Sequence, residues 1–83
     1  MAKRILDELK WHPAKSLSDA EITYLHRSPR GDEVTISGGE ILALEKSFFV
    51  VMRAGRETRI PYHRIREIRH RGKVVYRKRA EEI

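Results

Sequence analysis

Apolar residues in the first ten positions recur with helical spacing. Ile5, Leu6 and Leu9 share one face, while Asp7 and Lys10 fall elsewhere, which predicts a short helix over residues 2–10. Trp11-His12-Pro13 ends it, because Pro13 restricts the residue before it. Residues 14–20 read as a connecting loop with room for one helical turn. From Glu21 the period changes to two: Ile22, Tyr24 and His26 are expected on one side of a strand, Thr23, Leu25 and Arg27 on the other. Ser28-Pro29-Arg30-Gly31-Asp32 carries turn chemistry, and Glu33 to Ser37 forms a second strand that Gly38-Gly39 breaks.

Glu40 to Glu45 fits either a helical turn or a strand. Phe48 to Arg53 reads as a central strand because both of its faces are apolar. Ala54-Gly55-Arg56 turns it back into a hairpin partner over Glu57 to Ile60. Pro61-Tyr62-His63-Arg64 interrupts the ladder, since Pro61 has no donor to give. Ile65 to His70 resumes it, and Arg71-Gly72 leads into a last strand over Lys73 to Arg79. Strict alternation would set residues 66, 68 and 70 on one face of the penultimate strand and 67, 69 and 71 on the other.

The expected fold is therefore α+β: an N-terminal helix followed by five or six short antiparallel strands in a meander, curled into a partly open barrel. The helix, with Trp11, is the expected plug. The 83 residues have room for a single domain, 1–83, with residues 80–83 a frayed tail.

Composition sharpens this picture in three ways. The absence of cysteine removes disulfides, thiolate metal sites and cysteine nucleophiles. No stretch approaches the ~20 apolar residues of a membrane span, and the opening residues carry no signal-type apolar run, so a cytoplasmic address is expected. Asparagine and glutamine are also absent, and charged residues make up 36% of the chain, a thermophile bias.

The charge is unevenly placed. Residues 1–52 carry seven Lys/Arg and eight Asp/Glu; residues 53–79 carry eleven Lys/Arg and only Glu57 and Glu67 as acids. Such asymmetry is the footprint of a polyanion partner. A solvated thermophile surface would intersperse acids for ion pairing, and here they are nearly missing.

The candidate chemistry lies in His-Arg pairs at His26-Arg27, His63-Arg64 and His70-Arg71, two of them beside tyrosines, Tyr24 and Tyr62. Arginine presents a planar fork of donors that matches phosphate oxygens, and histidine adds a donor or a charge. The first two pairs flank turns and would form one phosphate pocket if their strands were neighbours. The third, at a hairpin tip, reads as surface. Alternatively, His26 shares a face with Ile22 and Tyr24 and would then be a buried, satisfied histidine. No phosphate loop, nucleophile elbow or metal-ligand spacing is present, so no catalytic residue, metal or cofactor is expected.

Leu9-Lys10-Trp11-His12-Pro13, Tyr24-Leu25-His26-Arg27 with Gly31-Asp32, Ile60-Pro61-Tyr62-His63-Arg64-Ile65 and Gly72-Lys73-Val74-Val75-Tyr76-Arg77 together resemble a small, mainly archaeal family, the RNA cyclic group end recognition domain. The likeness runs from about Ile5 to Arg77, departing at His12, where an acidic residue is usual, and at Tyr76, where tryptophan is common. It implies recognition of RNA ends bearing a cyclic 2′,3′-phosphate. It also implies that His26, Arg27, His63 and Arg64 are the phosphate ligands and that Tyr24 and Tyr62 contact base or ribose. Arg66, Arg69, Arg71, Lys73, Arg77, Lys78 and Arg79 would supply the basic track for preceding nucleotides, with Arg66, Arg69, Lys73 and Arg77 the candidate contacts. The expected function is a non-catalytic RNA-binding module. The alternatives are a metal-independent RNA end-processing phosphodiesterase using two histidines as acid and base, and a basic module that docks on a protein of an RNA-processing complex.

Overall fold

The apolar stripe of the first segment does form a helix. In the computed structural model, which describes residues 2–12, 16–26 and 32–78, α1 runs Ala2–Trp11 and buries Ala2, Leu6 and Leu9. Ile5 packs beside them. On its outer side Lys3 and Asp7, one turn apart, form a half-exposed pair at 2.8 Å, a contact worth about 0.3–0.5 kcal/mol.

Trp11 is not part of the plug. It is 74% exposed, with the Lys10 ammonium 5.2 Å from its ring centre. At ~100° per residue it lies about 140° around the helix from Leu6, off the buried stripe.

Among the described residues seven strands follow: β1 Ala20–Leu25, β2 Glu33–Ser37, β3 Ile41–Leu44, β4 Phe48–Arg53, β5 Arg56–Pro61, β6 Ile65–His70 and β7 Lys73–Arg77. Short 3₁₀ turns occupy Leu17–Asp19, Gly38–Glu40 and Tyr62–Arg64. The ambiguous stretch before Phe48 thus divides into a turn and a strand. Ser37 and Glu40 cap that turn reciprocally: the Gly39 amide donates to Ser37 Oγ at 3.1 Å, and the Ser37 amide donates to Glu40 Oε2 at 2.9 Å. The residues expected to fray, 80–83, lie outside the described ones.

The α+β class holds, but the strands do not form a sequential meander. They pair as two antiparallel sheets, one ordered β2-β1-β6-β7 and the other β3-β4-β5. Among the described residues no closed barrel forms. Four pairs of consecutive strands, β1–β2, β3–β4, β4–β5 and β6–β7, remain hairpins, and the β4–β5 and β6–β7 turns take positive φ at both central residues, Ala54-Gly55 and Arg71-Gly72, as right-twisted two-residue hairpins require. The departure is β1, which pairs with β6 so that Ala20 faces His70 and Ile22 faces Ile68. β4 is central, as its two apolar faces predict.

Both sheets and α1 share one core. Ile22, Ile65 and Ile68 come from the four-stranded sheet, Phe49 and Val51 from the three-stranded one, and Leu6 and Leu9 from the helix; all are essentially fully buried. Phe49 is the hub, with Tyr24 edge-on at 6.4 Å and Tyr62 tilted at 5.7 Å between ring centres.

Strict alternation fails in β6. Ile65 and Ile68 are both buried although three residues apart, and the register against β1 slips between Thr23 and Tyr24. This is a bulge: the extra residue leaves Arg66 and Glu67 both on the outward face, with Arg69 joining them.

One position allows no side chain at all. A Cβ on Gly38 would stand 1.9 Å from the Leu17 carbonyl oxygen, where the turns 17–19 and 38–40 meet backbone to backbone. Gly38→Ala should therefore cost about 2–3 kcal/mol, read as a fall in the thermal or denaturant unfolding midpoint, whereas Gly39→Ala, whose Cβ would meet only ordinary contacts, should cost far less.

Candidate functional site

The pairing of β1 with β6 brings the end of β1 against the turn that precedes β6. The β4–β5 hairpin closes over both, leaving a cavity of about 540 Å³. Tyr24 and His26 enter it from β1 and its exit, Arg53 and Arg59 from the hairpin strands, and Arg64 from the turn. Leu25, Ile60 and Pro61 supply apolar wall.

Each polar group has a physical reason to be where it is. The Tyr24 ring is buried against Phe49, which leaves its hydroxyl at the cavity, where it accepts from Arg53 Nη1 at 2.7 Å. His26 is exposed just beyond β1, and its backbone N–H donates to the Asp32 carbonyl at 2.6 Å, fixing its place beside the strand end. The Arg59 guanidinium lies 5.4 Å from the Phe48 ring centre. Among the described residues Arg53, Arg59 and Arg64 have no carboxylate partner, and no acid lines the cavity.

The basic track expected along β6 and β7 is different. Arg66, Arg69 and Arg77 line a second concavity, a groove of about 480 Å³ on the outward face of the four-stranded sheet. They share it with Glu21, Glu33 and Glu67. Glu67 accepts from Arg69 and, at 3.0 Å, from Arg77; these hydrogen bonds, that of Arg69 foremost, hold its carboxyl below the usual carboxylate range. Arg66 lies 3.9 Å from Glu33. The charge of these three arginines is largely neutralised within the fold, while Lys78, which also lines the groove, donates to a carbonyl and has no carboxylate partner among the described residues.

Of the residues singled out from the sequence, the cavity thus gathers Tyr24, His26 and Arg64. Arg27 lies outside the described residues. His63 is exposed and is not among the lining residues, although its carbonyl accepts from Lys78 Nζ at 2.9 Å. Lys73 is exposed at the β6–β7 hairpin, opposite His70, and lines neither concavity. The pair His70-Arg71 is structural. His70 Nε2 accepts a long hydrogen bond from the Ser16 amide at 3.5 Å, and Arg71 Nε donates to Asp19 Oδ2 at 3.2 Å, so both fasten the turn that precedes β1.

Tyr62 turns away from His63 and Arg64 because a 3₁₀ turn rotates successive residues by about 120°. Its ring joins the core at Phe49 and its hydroxyl donates to the Glu45 carbonyl at 2.6 Å. Arg53 and Arg59 were not singled out from the sequence. The one signal for them was that the acid-poor stretch begins at residue 53, on a hairpin carrying three arginines, Arg53, Arg56 and Arg59, against Glu57 alone.

Tyr62 carries a testable consequence. Burial, reinforced by the carboxylates of Asp7 and Glu45, pushes its phenol up to about 12 from an ordinary 10. The folded state therefore holds this proton more tightly than the unfolded chain. Its contribution is complete below pH ~10 and is lost as the pH rises toward 12. Tyr62→Phe should start about 1 kcal/mol less stable for want of the hydrogen bond and should show a shallower decline over that window, measured by denaturant unfolding from pH 9 to 12. An identical decline would refute the assignment.

Comparison with known proteins identifies relatives of the chain. The family model described as the MJ1316 RNA cyclic group end recognition domain matches residues 1–78. A UPF0248 protein of Methanococcus maripaludis is 40% identical over 81 residues, which is 95% of this chain and all of the relative. The UPF0248 proteins of Methanocaldococcus jannaschii and Thermococcus gammatolerans are 33% and 37% identical, over 95% and 96% of this chain and 95% and 92% of their own lengths. No solved structure matches. The resemblance carried by the Trp11, His26 and His63 motifs is borne out: this chain belongs to the archaeal UPF0248 family, that of the MJ1316 RNA cyclic group end recognition domain.

Proposed function

We propose that the protein is a non-catalytic RNA-binding module whose cavity between the β1 end, the β4–β5 hairpin and the Tyr62–Arg64 turn holds a phosphorylated RNA end. One observation carries this reading: Arg53, Arg59 and Arg64 surround one cavity with His26 and the Tyr24 hydroxyl, and among the described residues none of the three has a carboxylate partner. Clustered, uncompensated guanidinium groups repel one another and are retained where an anion binds. Their donor forks suit a phosphate, and the apolar wall of Leu25, Ile60 and Pro61 suits the sugar and base beside it.

The family description supports the cyclic end in particular. A 2′,3′-cyclic phosphate needs a 2′ oxygen, so an end of that kind belongs to RNA and not to DNA. Such a phosphate is a monoanionic diester, which two guanidinium forks and one imidazole can bind without transferring a proton. The phosphodiesterase alternative draws less support, because acid–base opening of the ring calls for a second group in reach, and His63 is not among the residues lining the cavity.

The test is a binding titration of one oligonucleotide bearing a 2′,3′-cyclic phosphate, a 3′-phosphate or a 3′-hydroxyl end. The phosphorylated ends should bind about tenfold or more tightly than the hydroxyl, and the affinity should weaken with added salt. Arg64→Ala should cost about tenfold for the phosphorylated ends with the unfolding midpoint nearly unchanged. Equal affinity for all three ends would overturn the proposal, as would ring opening that His26→Ala abolishes.

A further inference from the structure

The groove on the outward face of the four-stranded sheet adjoins the cavity. Leu25 lines the cavity and lies directly across the β1–β2 ladder from Glu33, which lines the groove. Arg64 lines the cavity, and Arg66, two residues on, lines the groove. A strand whose last phosphate sits among Arg53, Arg59 and Arg64 would pass over Leu25 into the groove.

The groove is built differently from the cavity. Its four cations, Arg66, Arg69, Arg77 and Lys78, are interspersed with the carboxylates of Glu21, Glu33 and Glu67, so a phosphodiester backbone laid along it would meet carboxylates as well. Among the described residues no aromatic ring lines it, which removes stacking. What it offers is a mixed set of hydrogen-bonding groups. Thr23 and Thr35 hydroxyls meet across the β1–β2 ladder at 2.8 Å, each with capacity left over. Glu21 has no partner among the described residues, because Arg69, opposite it in register, turns to Glu67 instead. An unclaimed carboxylate beside hydroxyls, with guanidinium groups beyond, is the chemistry that reads base edges. A carboxylate accepts from an exocyclic amine, and a hydroxyl serves either sense. Base edges are free in single-stranded RNA.

We infer that this groove reads the bases that precede the bound end, with Glu21 accepting from an exocyclic amine and Thr23 and Thr35 supplementing it, so that cytosine, adenine or guanine is preferred there to uracil. The inference rests on the RNA-end reading and deepens it from an end to an end with a preferred sequence before it.

The test uses tetranucleotides that share a 3′-phosphate and a common last nucleotide and differ only in carrying cytosine or uracil before it, with the matching nucleoside 3′-phosphate as control. The cytosine form should bind about five- to tenfold more tightly than the uracil form. Glu21→Gln should remove that preference, because an amide also donates to the uracil carbonyl, and should leave the mononucleotide affinity unchanged. Equal binding of the two tetranucleotides would overturn the inference, as would a preference that survives Glu21→Gln. So would a tetranucleotide no tighter than the mononucleotide, the result expected if the groove seats a protein instead. Repeating the pair with 3′-hydroxyl ends separates the two proposals: a base preference that persists while the end phosphate makes no difference supports the groove and sinks the end pocket.

Discussion

The antiparallel pairing of β1 with β6 is the contact on which the rest of this structure depends. It joins residues more than forty positions apart in the chain, Ile22 against Ile68 and Ala20 against His70. Closing a loop of that length costs chain entropy that the intervening hairpins cannot recover by themselves. Burial repays it: Ile22, Ile65 and Ile68 all become fully inaccessible, in one cluster with Phe49 and the leucines of α1. The same pairing sets the end of β1 beside the Tyr62–Arg64 turn, so the hydrophobic contact that closes the fold also assembles the candidate site.

The bulge in β6 has a comparable double effect. By placing Ile65 and Ile68 both inward it completes the core, and by leaving Arg66 and Glu67 both outward it composes the groove. A regular strand would have turned one of those charges into the apolar interior at a cost of several kcal/mol. Irregular pairing is thus what allows a charge-dense sequence to cover a small core.

Charge is sorted by partner rather than by amount. Arginines on the sheet face are held by Glu67 and Glu33, while those at the cavity face one another, a phenol and an imidazole. At an exposed surface the paired kind contributes little energy but considerable orientation. The unpaired kind concentrates positive potential in a cleft with apolar walls, where an anion gains most from it.

Much of this was legible in the sequence. Period-two and helical patterns located α1, β1, β2, β4 and both tight hairpins, because local backbone chemistry and alternation are short-range. The arginine excess after residue 53 was the ground for expecting an anionic partner, and the Tyr24–Arg27 and Tyr62–Arg64 motifs announced the family. The sequence could not tell which arginines were already spoken for. It showed Arg66, Arg69 and Arg77 as free charge, whereas their carboxylate partners come from the bulge and, for Arg66, from β2 two strands away. It missed Arg53 and Arg59, which join Tyr24 and Arg64 only where two sheets meet. It grouped Tyr62 with its neighbours in the chain, whereas a single 3₁₀ turn sends that ring to Phe49 and Arg64 to the cavity. Sequence determines what each segment can be and what charge it carries. Which side chains face one another across a gap depends on long-range pairing and register, and those only the folded chain decides.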